Sequence, residues 1–304
     1  MHHVLRAEDI RLEPAYVGNS KSFSRCSVVD GTSGSVHMGL GMCALDAGGA
    51  VDTHLHSFEE SFYVLEGEPT LVLDGSAYPL VPGACGLVPL GVPHAWLGPA
   101  SGKAKWIDML APQPRVKGAA EDTFFTGTPA HLEMKQLDIR DPRSRYLFRM
   151  LESDIVLDEL KVGSRVGAPT VSASMSTALL AYSGIALKML VDQRLDAQLS
   201  TMFMVEYQPG GVAHPHDHPL EESYVILSGS VEALADDARY TLRPGDVFWT
   251  GVGCVHAFYN TSKGTVRWLE TQSPQLPQRY GYRFSRDWEY LKEKLAAPSP
   301  AQKK

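Results

Sequence analysis

GAVDTHLHSFEESFYVLEG (Gly49–Gly67) and, 162 residues further on, GVAHPHDHPLEESYVILSG (Gly211–Gly229) decide how this chain is read. In an extended strand successive side chains alternate faces, so His54 and His56 project from one side, as do His216 and His218. Glu60 and Glu222 follow after three intervening residues, just before the apolar runs SFYVLEG and SYVILSG, which read as strands closed by glycine turns. Moving outward, the same spacing of 162 relates Asp30 to Asp192, Gly48 to Gly210, Asp74 to Asp236, Pro82 to Pro244, Gly83 to Gly245, Gly91 to Gly253, His94 to His256 and Trp106 to Trp268. A register held over that length means two copies of one domain.

Each copy alternates short runs rich in Val, Leu, Tyr and Phe with turn clusters such as Val81–Gly83 and Arg243–Asp246, the spacing of an all-β sandwich or barrel. The expected organisation is an N-terminal barrel over 1–115, a connecting region over 116–180 and a C-terminal barrel over 181–284. Residues 285–304 would form a short helix, RDWEYLKEKL, and a disordered tail. The Pro- and Gly-rich stretch APQPRVKGAAEDTFFTGTP (111–129) reads as a surface loop between the copies.

The 304 residues carry a formal charge of −7 with a pI near 5.9, which argues against nucleic acid or an anionic membrane surface and leaves a small molecule as the expected partner. No apolar run reaches the roughly 18 residues of a membrane span, and the stretch Leu179–Val191 is broken by Ser183 and Lys188. The N-terminus MHHVLRAEDIRLEP has no apolar signal core, so the expected location is cytoplasmic. The four cysteines, Cys26, Cys43, Cys85 and Cys254, show no paired spacing and are read as buried small hydrophobes, with Cys85 and Cys254 near enough to the motif histidines to line a pocket.

Two sets of ligating side chains therefore stand out, His54/His56/Glu60/His94 and His216/His218/Glu222/His256. Imidazole and carboxylate suit Fe(II) or Mn(II), with Ni(II), Co(II) or Zn(II) as further options, and the lack of thiolates speaks against a structural zinc cage. Up to two metals per chain are expected, each with about two positions left for water, oxygen or a chelating substrate.

These paired motifs resemble those of the cupin superfamily. The pattern G(X)5HXH(X)3E(X)6G is met by Gly48, His54, His56, Glu60 and Gly67, and again by Gly210, His216, His218, Glu222 and Gly229. The second pattern, G(X)5PXG(X)2H(X)3N, is met by Gly83, Pro89, Gly91 and His94, and by Gly245, Gly253, His256 and Asn260, with Gly98 and Gly251 as departures that remove no ligand. The resemblance implies two tandem double-stranded β-helix (jelly-roll) barrels and a metal in each. It leaves the reaction open, because one fold hosts many chemistries.

Around the ligands, Asp52 and His214 lie two residues before each HxH and are candidates to hold a ligand or a bound water, His214 being also a candidate catalytic residue. Glu59 and Glu221 should point outward into solvent. Phe62/Tyr224 and Trp96/Phe258 are either core or pocket wall. Lys105 and Arg267 either face inward to bind a carboxylate or outward as solvated charges.

For the reaction, FMVEYQPGG, YVILSG and GDVFWTG in the second half resemble the bicupin ureidoglycine aminohydrolases, a likeness that implies a manganese-dependent hydrolase. That family's ligands, however, are Glu, His, His and Gln. The three-histidine, one-glutamate sets look more like the oxygen-using bicupins, including flavonol- and diketone-cleaving dioxygenases, with Glu60 or Glu222 serving as ligand and general base. A non-catalytic binding protein is the third reading. Bicupins commonly associate through sheet edges, so a homo-oligomer, a dimer or larger, is expected. If one barrel is catalytic, the second is favoured, for its closer likeness and for His214.

Overall fold

Runs that alternate apolar side chains become strands buried on both faces: one set fills a barrel and the other meets a second barrel. The computed structural model describes residues 1–115, 122–129, 132–137, 146–151, 154–157, 180, 183–275, 283–284 and 296. The architecture is all-β, two tandem barrels, with short helical pieces such as Ala7–Asp9 and Gln193–Leu195. The expected helix RDWEYLKEKL lies outside the described residues.

In the first barrel one 18-residue strand, Gly39–His56, is the spine. Its first part pairs with Lys103–Ala111, placing Trp106 opposite Cys43, and with Ser20–Val29. Its last part pairs with His94–Leu97, placing His94 directly opposite His54. In the second barrel the spine is two strands, Thr201–Tyr207 and Val212–Asp217, parted at Gly210, whose φ of +78° suits a residue without a side chain. His256 is again set opposite His216. The strands Glu59–Glu66 and Glu221–Ser228 end at Gly67 and Gly229, both at φ +72°, where a Cβ would land on the carbonyl oxygens of Lys103 and Thr265. Close approach of two strands accounts for that motif glycine.

Residues 123–127, expected within a surface loop, instead form a strand, Thr123–Gly127, whose Thr123 lies opposite His56. Phe124 and Phe125 supply the β-favouring pair that the small residues around them masked. The chain also crosses between its barrels. His2–Leu5 pairs with Val247–Thr250 at the edge of the second barrel, where the Met1 amino group and His2 both approach Asp236, while Leu147–Arg149 pairs with Ala84–Val88 of the first. The boundaries 1–115 and 116–180 run across this exchange, which covers sheet edges that would otherwise be open.

Each interior has its own apolar cluster. Leu45, Phe62, Leu71, Trp96 and Trp106 are among those filling the first, and Phe203, Tyr224, Phe248, Phe258 and Trp268 among those filling the second. A third cluster lies between the barrels and draws on both, including Leu40, Leu87, Ile107 and Met109 from the first and Met202, Met204, Val225, Trp249 and Leu269 from the second.

At that interface stands a correction. Glu59 and Glu221 are not solvated; they are 4 % and 2 % exposed. Glu59 accepts the backbone N–H groups of Gln198 and Leu199 at 2.8 and 3.0 Å, and Glu221 accepts those of Val36 and His37 at 2.8 and 3.2 Å, with Ser35 Oγ donating at 2.6 Å. Because 36 and 37 are the equivalents of 198 and 199, the two clasps are one contact made twice, in opposite directions. Alternation does turn these carboxylates away from the motif histidines and from Glu60 and Glu222, but outward from one barrel is inward to the interface with the other.

Candidate metal centres

The cross-strand pairs His54–His94 and His216–His256 bring ligands from both motifs to one level of each barrel, and the residues of the HxH pairs converge as their period requires. In the first barrel the ligand atoms of His54, His56, Glu60 and His94 all lie within 4.8 Å of one another. Ring centroids are 4.8 Å apart for His54–His56, 4.1 Å for His54–His94 and 4.9 Å for His56–His94. Glu60 Oε2 stands 3.1 Å from His56 Nε2 and 3.3 Å from His94 Nε2. In the second barrel His216, His218 and His256 meet the same 4.8 Å limit, with Glu222 Oε2 at 2.7 Å from His218 Nε2 and 3.3 Å from His256 Nε2. All eight side chains are buried.

Every one of the six imidazoles is held through Nδ1. His54 Nδ1 meets the Asp52 carbonyl at 2.7 Å, His94 the Val92 carbonyl at 3.1 Å, and His56 the Thr123 hydroxyl at 2.9 Å. His216, His218 and His256 meet the carbonyls of His214, Leu220 and Cys254 at 2.7, 2.9 and 2.9 Å. A carbonyl can only accept, so at five of these rings Nδ1 carries the proton and Nε2 presents its lone pair inward, the tautomer a metal ligand needs. At Asp52 and His214 this hold on the ligand comes from the backbone rather than from the side chain that the sequence pointed to. His94 Nε2 is fully buried without a hydrogen-bond partner. Buried polar atoms are seldom left so, and a cation among these lone pairs and one carboxylate would satisfy them. The donor set, nitrogen and oxygen without sulfur, fits a divalent metal such as manganese or iron.

The electrostatics favour the coordinating forms at His54, His56, His216 and both glutamates, whereas at His218 burial lowers the imidazole but Glu222 outweighs it and holds it up. Burial, then the neighbouring His94 and His56, push His54 down to about 2; burial, then His256, push His216 down to about 4. Burial raises the carboxyls of Glu60 and Glu222, but the imidazoles that face them, His56 with His94 and His218 with His256, outweigh it and hold both well below the usual carboxylate range. Neutral imidazoles and an ionised carboxylate are the forms that coordinate.

The surroundings of the two clusters differ. In the second, Tyr224 Oη donates to Glu222 Oε2 and lies 3.0 Å from His256 Nε2, while Gln272 Nε2 donates to Glu222 Oε1 at 2.6 Å. Glu270 accepts from Trp268 Nε1 at 2.9 Å; burial, then the nearby Glu222, hold its carboxyl well above the usual range. A cavity of about 30 Å³ adjoins His216, Glu222, Tyr224 and Glu270, walled for the rest mainly by apolar side chains including Leu187, Phe203, Phe258 and Trp268. In the first barrel the equivalents of Leu187 and Glu270 are Arg25 and Asp108, joined in a two-pronged ion pair with both N···O distances 2.6 Å. A Cβ on Gly41 would overlap both side chains, so this space is filled.

The sequence singled out Tyr224 only as a wall residue, and Gln272, Glu270, Arg25, Asp108 and Thr123 not at all. Comparing the copies at positions 162 apart would have flagged Arg25 against Leu187 and Leu110 against Gln272. Lys105 and Arg267 are settled as outward: Trp106 and Trp268 take the interior, and the cations pair with Glu66 at 3.1 Å and Glu206 at 2.6 Å. Cys85 packs between the barrels, and neither it nor Cys254 lines the cavity.

The Cupin domain family matches this chain twice, over residues 41–110 and 203–271, and the protein is a two-domain cupin. Germin-like protein 3-1 of Oryza sativa subsp. japonica is 35% identical over 89 residues, covering 26% of this chain and 40% of that protein. The chain spans about two fifths of the length of the germin-like relatives it matches. Among solved structures, a Bacillus subtilis oxalate decarboxylase described with Mn(II) centres has a TM-score of 0.63 at 15% identity, over 94% of this chain and 80% of that one. Protein Ylba from E. coli has a TM-score of 0.60 at 12% identity, over 92% and 93%. At such identities the likeness is one of fold.

Proposed function

We propose that this protein is a divalent-metal-dependent enzyme whose working centre is the second barrel, and that it uses dioxygen to cleave a ring or a carbon–carbon bond in a small, polar, metal-chelating substrate. The observation that carries this reading is the cavity against His216 and Glu222. At about 30 Å³ it has room for a molecule of the size of water or dioxygen, and its walls are chiefly apolar. Small apolar cavities stay dry and take up apolar gases.

His216, His218, Glu222 and His256 would hold the metal, Fe(II) or Mn(II), which would supply Lewis acidity and open positions for substrate oxygens. The residues of the chain do the rest. Glu222 is the group to accept a substrate proton, and Tyr224 and Gln272 fix its two oxygens so that the carboxylate does not turn when it does so. Burial and the neighbouring Glu222 both favour the proton-bearing form of Glu270, which borders the cavity without adding a negative charge beside the ligands. The apolar wall excludes water.

Oxalate decarboxylation, the activity named for the Bacillus subtilis neighbour, suits this cavity less well. A dianion would meet the Glu222 carboxylate, with Leu187 where the first barrel has Arg25. The deciding experiment is turnover of flavonols and β-diketones by protein of known metal content, in air and under strict anaerobiosis, with labelled dioxygen. Oxygen-dependent product carrying the label is expected; undiminished turnover without oxygen would overturn the reading.

A further inference from the structure

Outside both clusters, three ligating side chains from distant parts of the chain meet on the flank of the second barrel. His2 lies on the strand His2–Leu5, opposite Thr250. Asp236 sits in the turn between Val231–Ala235 and Ala238–Leu242, and Cys254 precedes His256 by two residues. Their ligand atoms all lie within 4.8 Å of one another. His2 Nδ1 is 3.2 Å from Asp236 Oδ2, and Cys254 Sγ is 3.7 Å from Asp236 Oδ1. An ion holding nitrogen and oxygen at about 2.0–2.1 Å and sulfur at about 2.3 Å in a tetrahedron sets its ligands about 3.3–3.6 Å apart. The two separations to the Asp236 carboxylate, one to each of its oxygens, are close to what one ion needs, and His2 and Cys254 lie within 4.8 Å of each other.

Their support is built in the same way as that of the cluster histidines. His2 Nε2 lies 2.7 Å from Tyr240 Oη, and the ring packs against Phe248. The far nitrogen thus has its partner, and Nδ1 is left to face Asp236, whose Oδ2 the Met1 amino group also approaches at 3.5 Å. Cys254 is 1 % exposed, whereas the Asp236 side chain is 47 % exposed, so a cation has a way in from solvent and space for a water. The first barrel has the matching aspartate, Asp74, but Val92 in place of the cysteine. The repeat therefore does not explain the trio.

We propose that His2, Asp236 and Cys254 form a third metal site, peripheral to the two clusters, for a thiophilic divalent cation such as Zn(II), with water as fourth ligand. On binding, the Cys254 S–H proton passes to solvent and a sulfur–metal bond forms, with no change of oxidation state. The site ties the crossed-over N-terminal strand to the second barrel. It also braces the main chain at Cys254, whose carbonyl holds His256 Nδ1 at 2.9 Å, so its occupancy stiffens the mounting of one cluster ligand.

Cobalt(II) tests this on the full chain, because a thiolate-to-cobalt charge-transfer band arises only where a cysteine is a ligand, and neither cluster contains one. Titration of the wild type should develop that band with one equivalent per chain beyond the clusters. Cys254→Ser should lose it while metal analysis shows the clusters still loaded, and His2→Ala should weaken the cobalt affinity of the band about tenfold. Absence of the band at saturating cobalt overturns the proposal. So does its persistence in Cys254→Ser, or its indifference to both His2→Ala and Asp236→Asn. His2 and Asp236 lie on the periphery of the barrel, and their variants keep the test decisive should Cys254→Ser fail to fold.

Discussion

The two barrels present the same three histidines and one glutamate at equivalent positions and surround them differently. Beside the first cluster, Trp96 stacks on Trp106 at 4.4 Å, Phe62 packs edge-on to Trp96, and Arg25 with Asp108 closes the remaining space. Beside the second, the corresponding residues are Phe258, Trp268, Tyr224, Leu187 and Glu270, and a cavity remains. Ligands alone therefore do not make the barrels equivalent. A duplicated site diverges through the residues that hold its ligands and set the charge and space around them.

The largest effect should come from the ligands themselves. His216→Ala with His218→Ala is expected to lower kcat by at least ~100-fold, beyond what the loss of an outer partner costs, whereas His54→Ala with His56→Ala should leave kcat within about tenfold. Paired measurements of kcat and metal content in both variants check this. Equal losses would break the division of labour between the barrels.

Acid should separate them next, in metal-free protein followed by unfolding at a series of pH values. In the unfolded chain a histidine takes up its proton near 6.5, while His216 and His54 resist until about 4 and about 2. At these two positions the unfolded state thus binds more protons, and their contribution to stability, complete above pH 6.5, falls as the pH drops. The contribution of His216 should level off near pH 4, and that of His54 should go on being lost toward pH 2. His54→Gln should flatten the most acidic part of the profile and His216→Gln should not.

Arg25 and Asp108 come third. Removing one partner of a buried pair leaves an uncompensated charge, so Arg25→Leu, which copies Leu187, should cost about 3–5 kcal/mol in chemical denaturation. Arg25→Leu with Asp108→Leu should regain most of it, since apolar groups of similar volume replace such pairs at little cost. The interdomain clasps should matter less. Glu221→Ala forfeits charge-assisted bonds at the interface and should cost about 1.5–3 kcal/mol. Glu59→Ala should cost somewhat less, because Glu59 has no counterpart to the Ser35 hydroxyl bond.

Much of this was legible in the sequence, and the reason is period. Strand alternation and a constant offset of 162 fix which residues share a face, so the barrels and both ligand sets follow from His54, His56, Glu60 and His94 and their repeats. What alternation does not reveal is what lies on the other side of a face. Glu59 and Glu221 point away from the ligands as expected, yet into a partner barrel that no local pattern announces. His2 and Thr123 reach their neighbours through pairings set by tertiary structure. Asp52 and His214 act through carbonyls, which every residue has and which therefore leave no trace in residue type.

Tyr224 offers the finest cut between the barrels, because the first has Phe62 in its place and one oxygen atom is the whole difference. Its hydroxyl donates to Glu222 Oε2 and reaches His256 Nε2 at 3.0 Å, so it restrains the carboxylate that the proposed chemistry uses as ligand and base. Tyr224→Phe keeps the ring, and with it the packing on Phe248 and Phe258 at 5.4 and 4.8 Å. The fold should hold. Loss of an outer hydrogen bond to a metal ligand costs about 10–100-fold in metal affinity or activity, and with Gln272 still bound to the other oxygen the lower figure is expected. If Tyr224 serves only to position Glu222, kcat should fall about tenfold with KM unchanged. A rise in KM at constant kcat would instead make Tyr224 a group that binds substrate, and the difference between the barrels would then be one of recognition rather than of ligand control.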